Sequence, residues 1–296
     1  MITNNYIEFK KERDLGAMIT DAFKFIRQEW KPFFTTIIKI SLVPILLAVA
    51  STIYYSLLST DFVSSVFNFS QLGSYQEQNT DYGTFFSALI AYYLFNLIAY
   101  VTVTASAMYY VKSYIDNQGK IDFEYVKSMT FQKFWSFSGL FFIVGIIVMV
   151  GTMFCVLPGV YFWVVFSLSS CILVFFEKGA MDSIGDAFNF VKGHWWETFG
   201  ILIVIFLIVM VLSFITQLPA TIYQFIQMGT SAFEGDPTEM INTLNDPIYL
   251  ALLTLSHFIQ FLFYTITLLV TIFVFFDINE QKNNTGAIDK IDTIGR

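Results

Sequence analysis

The stretch FGILIVIFLIVMVLSFITQL, Phe199–Leu218, decides the fold. It holds no charged side chain, and an α-helix of about 20 residues at 1.5 Å each spans the roughly 30 Å hydrocarbon core of a bilayer. Only a helix or a closed barrel satisfies its own backbone hydrogen bonds at that depth. Five more apolar stretches accompany it: Phe34–Leu58, Phe85–Val111, Phe134–Val156, the shorter Val160–Phe176, and Ile248–Phe276. The expectation is an all-α, polytopic membrane protein with six transmembrane helices. Leu157-Pro158-Gly159 predicts a tight reversal between the third and fourth spans, and Pro44 predicts a kink in the first.

Composition agrees. Of 296 residues, 56% are hydrophobic, 19% aromatic and only 13% charged, where a soluble domain carries about 25% charge. Mean hydropathy is +0.63. A net charge of −7 and a pI near 4.8 argue against a nucleic-acid surface, which tends to be basic. Cys155 and Cys171 both fall in apolar runs and read as small packing residues rather than metal ligands. Lys10, Lys11 and Arg13 precede no short apolar core with a small-residue cleavage site, so insertion is expected to rely on the first span.

The basic residues set the orientation. Of 16 lysines and arginines, all but Lys39 fall in the N-terminal segment, the second and fourth loops and the C-terminal tail. The loops at 59–84 and 219–247, and the Pro158 turn, contain none. By the positive-inside rule both termini are cytoplasmic. The outer loops carry Asp61, Glu77, Asp81, Glu234, Asp236, Glu239 and Asp246. Acidic residues contribute little to orientation, so solvated loops explain them sufficiently. The expected organisation is a cytoplasmic N-terminal segment over 1–33, a single six-helix transmembrane domain over 34–276, and a cytoplasmic tail over 277–296.

An internal repeat underlies this organisation. Ile19-Thr20-Asp21-Ala22-Phe23-Lys24-Phe25-Ile26-Arg27 matches Ile184-Gly185-Asp186-Ala187-Phe188-Asn189-Phe190-Val191-Lys192 without a gap, and Trp30 and Phe34 then fall on Trp195 and Phe199. In each copy apolar residues recur with helical period: Leu15, Met18, Ala22, Ile26 and Trp30 in one, and Met181, Ile184, Phe188, Val191 and Trp195 in the other. Each reads as an amphipathic helix in the cytoplasmic headgroup layer ahead of a span, the second at about 180–197. Phe123, Val126 and Thr130, followed by Phe134-Trp135, offer a looser third copy. One interfacial helix plus two spans has even topology, so such units are parallel repeats.

Leu157-Pro158-Gly159-Val160-Tyr161, Phe175-Phe176-Glu177, and the Ser183–Gly200 stretch with Ile184, Phe188, Lys192, Gly193, Trp196 and Gly200 carry a family resemblance. The chain resembles the six-helix membrane domain that precedes some bacterial glycerophosphodiester phosphodiesterases, and that domain's stand-alone, uncharacterised bacterial relatives. The likeness covers most of the chain, with its sharpest positions at about 157–200. It implies a fold and a place in the bacterial inner membrane. It implies no activity, because the phosphodiesterase chemistry of those enzymes resides in a separate soluble barrel.

Candidate ligand contacts are few. His257 in the sixth span has Gln260 and Tyr264 along one helical face, and Asn96 lies in the second span. Polar groups at that depth are functional candidates, although interhelical hydrogen bonds also account for them. Lys39, five residues into the first span, can snorkel to headgroups or meet a lipid phosphate. His194, ahead of Trp195-Trp196, reads as an interface residue. No Asp, Glu or Arg sits mid-span, where ion-coupled transporters place one, and no P-loop pattern is present. No catalytic set, metal site or cofactor is expected. These features point to a non-catalytic integral membrane protein, a scaffold or accessory subunit of a membrane complex, in contact with lipids and other membrane proteins. The competing reading is a transporter or lipid-handling protein with a polar intramembrane cavity.

Overall fold

In a computed structural model the described residues are 6–66, 82–234, 246–286, 288 and 291, with side chains described except at 60–66, 228 and 230–234. The acidic loops expected on the outer side therefore lie mostly outside the described residues. Every regular element among those residues is an α-helix: α1 Leu15–Val66, α2 Tyr82–Asp116, α3 Phe123–Gln132, α4 Phe134–Phe154, α5 Val156–Ser167, α6 Ser169–Phe175, α7 Ala180–Val191, α8 Trp195–Glu234 and α9 Pro247–Asn283. Among the described residues six segments are long and apolar enough to cross a membrane: Leu15–Ser59, Tyr82–Asp116, Phe134–Phe154, Val156–Phe175, Trp195–Gln227 and Pro247–Asn283. The protein is a multi-pass integral membrane protein. Its chain forms two compact units, the first from Met1–Ser41, Val101–Val209 and Phe263–Arg296, the second from Leu42–Tyr100 and Met210–Leu262.

The helix boundaries have local causes. α2 ends in a Schellman motif: Gln118 takes φ +50° and Gly119 φ +94°, Gly119 N–H donates to Tyr114 O at 2.8 Å and Gln118 N–H to Ile115 O at 3.3 Å. α3 begins where the Asp122 carboxylate accepts from Tyr125 N–H. Its Val126 and Thr130 are buried, as the helical spacing requires.

Two expectations move. The reversal before the fourth span falls at Cys155 (φ −168°, ψ 149°), not at Pro158. Pro158 lies in the first turn of α5, where its missing N–H would have had no intrahelical partner. Gly159 is helical and serves close approach: a Cβ there would stand 2.9 Å from Thr152 Cα on α4. Cys155, read as packing, is exposed at this bend, whereas Cys171 is buried.

The N-terminal amphipathic stretch is not a separate helix, because α1 runs unbroken from Leu15 to Val66 and through Pro44. In the second copy the chain breaks after α7, where Gly193 adopts φ +90° before α8. The aligned segments nonetheless share local features. α1 and α7 begin at aligned positions, Leu15 and Ala180. Ala22 and Ala187 are both buried, as are Phe25 and Phe190. Asp21 pairs with Arg13 at 2.8 Å, and the aligned Asp186 pairs with Lys178.

Residues ahead of α1 pack firmly in the first unit. Ile7 and Phe9 are buried. Tyr6 stacks on Tyr114 at 5.3 Å and Phe9 on Phe273 at 4.5 Å. The Arg13 side chain, 2% exposed, donates to Asp21, to Phe9 O and Lys11 O at 2.9 Å each, and to Glu8 O. Arg13 N–H donates to the Asp277 carboxylate at 2.6 Å near the end of α9. The segment ahead of α1 thus meets the end of α9 within one unit.

Candidate functional site

In the first unit the fourth span is broken. α5 stops at Ser167, Leu168 (φ −89°, ψ −5°) forms a single-residue turn, and α6 restarts at Ser169. An interrupted helix at membrane depth exposes carbonyls that water cannot reach, so side chains must serve them. Ser167 Oγ donates to Val164 O at 2.7 Å and Ser169 Oγ to Phe166 O at 2.6 Å. Beside this break lies a cavity of about 320 Å³. α4 supplies Gly145 and Val148, α5 supplies Trp163, α8 supplies Leu202, and α9 supplies Tyr264, Thr267 and Thr271. Ser167, Ser169 and Ser170 complete the lining from the broken span. Gly145 leaves space there, since a Cβ on it would meet nothing within 4 Å.

An apolar groove of about 440 Å³ adjoins this cavity and shares Val148 and Trp163 with it. Thr152, Gly159, Phe199, Ile203 and Phe206 form other parts of its wall. Neither lining contains a charged side chain. A lipid chain can lie against such walls, and an ion would lose its hydration without compensation. Sequence reasoning passed over these serines. The usable signal was three serines within four residues of an otherwise apolar span, Ser167-Leu168-Ser169-Ser170.

In the second unit Asn96 and His257 do meet. His257 Nε2 lies 3.1 Å from Asn96 Oδ1 and 3.4 Å from Thr52 Oγ1. Thr52 spends its proton on Ala48 O at 2.8 Å, and Asn96 Nδ2 donates to Tyr92 O at 2.9 Å. The arrangement requires the proton on His257 Nε2, donated to Asn96 with Thr52 as a longer second acceptor. The His257 ring also stands edge-on to Phe261 at 5.4 Å. Thr52, Asn96 and His257 tie α1, α2 and α9 together, and each of the three side chains has a hydrogen-bond partner. Gln260 is half-buried and stands outside the network. The unit's apolar groove of about 640 Å³ is lined by none of the three predicted residues; Leu46, Val49, Leu250 and Phe258 are among its walls.

Lys39 is exposed on α1, in the other unit, and joins no cluster with these groups. His194 Nδ1 lies 3.2 Å from Glu197 Oε2 at the start of α8. Among the described residues no group of His, Cys, Asp and Glu is placed to hold a metal ion. No protein-family model matches the chain, and comparison with curated proteins and with solved structures gives no match either.

Proposed function

We propose that this chain is a non-enzymatic lipid-handling protein of the bacterial inner membrane, with both termini cytoplasmic. The cavity beside the broken fourth span carries this reading: a hydroxyl-lined space, free of charge, adjoining an apolar groove wide enough for a lipid chain. Many secondary transporters form their substrate sites at interrupted helices within the bilayer. The resemblance to phosphodiesterase membrane domains and the duplicated helix-plus-span units belong to the same reading. The shared helix start and the Arg13–Asp21 and Lys178–Asp186 pairs support the duplication.

Passive transport through a polar cavity lined by Asn96, His257 and Gln260 finds less support, because the first two hydrogen-bond to each other between helices. The scaffold or accessory-subunit reading makes a different prediction for what the protein carries when extracted.

Native mass spectrometry of protein extracted with its surrounding membrane separates the two. The expected result is one retained lipid class, released when Gly145→Leu fills the cavity. A stoichiometric protein partner, with lipid retention unchanged by Gly145→Leu, would overturn lipid handling in favour of a scaffold.

A further inference from the structure

Resting on the lipid-handling reading, we infer that the cavity selects an uncharged lipid bearing a free hydroxyl, such as a diacylglycerol or a long-chain isoprenoid alcohol. Several hydroxyl protons on the cavity wall are already committed. Ser167, Ser169 and Thr271 each commit their proton to a helix carbonyl, Val164 O, Phe166 O and Thr267 O respectively. Tyr264 OH lies 3.0 Å from Thr104 Oγ1 across the same unit, and one of the two protons is spent there. Hydroxyls whose hydrogen is used present lone pairs. With Ser170 and Thr267 as the lining hydroxyls whose protons are not committed to the protein, the wall both accepts and donates, and an alcohol answers both where an ester only accepts and a hydrocarbon does neither.

Charge selects in the same direction. No lysine, arginine or histidine lines the cavity or its adjoining groove, so a phosphate would sit uncompensated. Depth agrees as well. The break lies one seven-residue helix, α6, from the end of its span, or about 10 Å at 1.5 Å per residue. Neutral lipid alcohols reach that depth cheaply, and charged headgroups do not. Ser170 is buried and lines the cavity without a hydrogen bond inside its helix, so its hydroxyl is free to turn toward the ligand oxygen.

The test uses the full-length protein in phosphatidylcholine nanodiscs doped with three lipids carrying the same photoactivatable acyl chain: diacylglycerol, its 3-acetyl ester, and phosphatidic acid. Cross-links are mapped by mass spectrometry to the α4 and α5–α6 peptides. Diacylglycerol is expected to label those peptides about tenfold more than the acetyl ester, the ratio one hydrogen bond supplies. Gly145→Leu should abolish labelling by all three, Ser170→Ala should lower labelling by alcohol and ester alike, and Ser169→Ala, which removes an acceptor, should narrow the ratio. Equal labelling by alcohol and ester, or preference for phosphatidic acid, overturns the alcohol assignment while leaving the cavity a lipid site. Absence of labelling by every probe overturns the lipid-handling reading itself.

Discussion

Replacing Gly159 by alanine should loosen the α4–α5 hairpin through a steric effect that can be isolated. The added Cβ would stand 2.9 Å from Thr152 Cα and 3.0 Å from Thr152 Cβ. Rotating the Thr152 hydroxyl away relieves neither contact, so the two backbones must separate by a few tenths of an ångström. Overpacking of this kind costs about 1–3 kcal/mol. Against it stands the gain of about 1 kcal/mol from replacing glycine by alanine in a helix. The net expectation is a loss of about 0–2 kcal/mol. Gly145→Ala and Gly200→Ala provide the contrast, because a Cβ at either position meets nothing within 4 Å. Both share the propensity gain, so their difference from Gly159→Ala returns the steric cost alone. Equilibrium unfolding in mixed dodecylmaltoside–SDS micelles measures all three. If Gly159→Ala proves as stable as Gly145→Ala, the close crossing at Gly159 is not real.

Other perturbations have defined outcomes. In a double-mutant cycle Asn96→Leu and His257→Leu should couple by about 0.6 kcal/mol, typical of interhelical hydrogen bonds in membranes; additive effects would separate the two side chains. Arg13→Ala should destabilise by about 3 kcal/mol, because it strips a buried cation from Asp21 and three carbonyls. The aligned Lys178→Ala should cost under about 1 kcal/mol, its pair being far more exposed; the reverse order in thermal melts would contradict the burial. Burial, aided by the neighbouring Tyr114, pushes the Tyr6 phenol up to about 12 from its usual 10. The neutral form is therefore favoured in the folded state, and its stabilisation is complete below pH 10 and lost as pH rises toward 12. Melting temperature should fall more steeply across pH 10–12 in the wild type than in Tyr6→Phe, and parallel slopes would remove Tyr6 from the account.

The spans were legible in the sequence because hydropathy over about 20 residues outweighs every local preference in lipid. Local turn chemistry was less legible. Pro158 and Gly159 carry the residue types of a reversal, yet the chain turns at Cys155, since proline is equally at home in a first helical turn. The Asn96–His257 contact was foreshadowed by the cost of leaving either polar group alone in the bilayer, whereas Gln260, on the same face as His257, found no place in it. The serines of the fourth span were missed because hydropathy averages them into an apolar run. Their meaning lies in the break at Leu168, which is a property of three dimensions. Nor did the periodicity of Leu15–Trp30 reveal that the amphipathic stretch continues into the span as one helix.

The docked N-terminal segment has a consequence for biosynthesis. Arg13 and Phe9 find their partners on Asp277 and Phe273, separated from them by nearly the whole chain. A ribosome makes Phe9 first and Phe273 last, so the earliest residues must wait through the insertion of every span before they can settle. Until then the Arg13 N–H lacks its Asp277 acceptor, and Ile7 and Phe9 stay open to chaperones. Closure of that segment would therefore mark a completely inserted molecule, and a chain halted before α9 would display Ile7 and Phe9 as a sign of incompleteness.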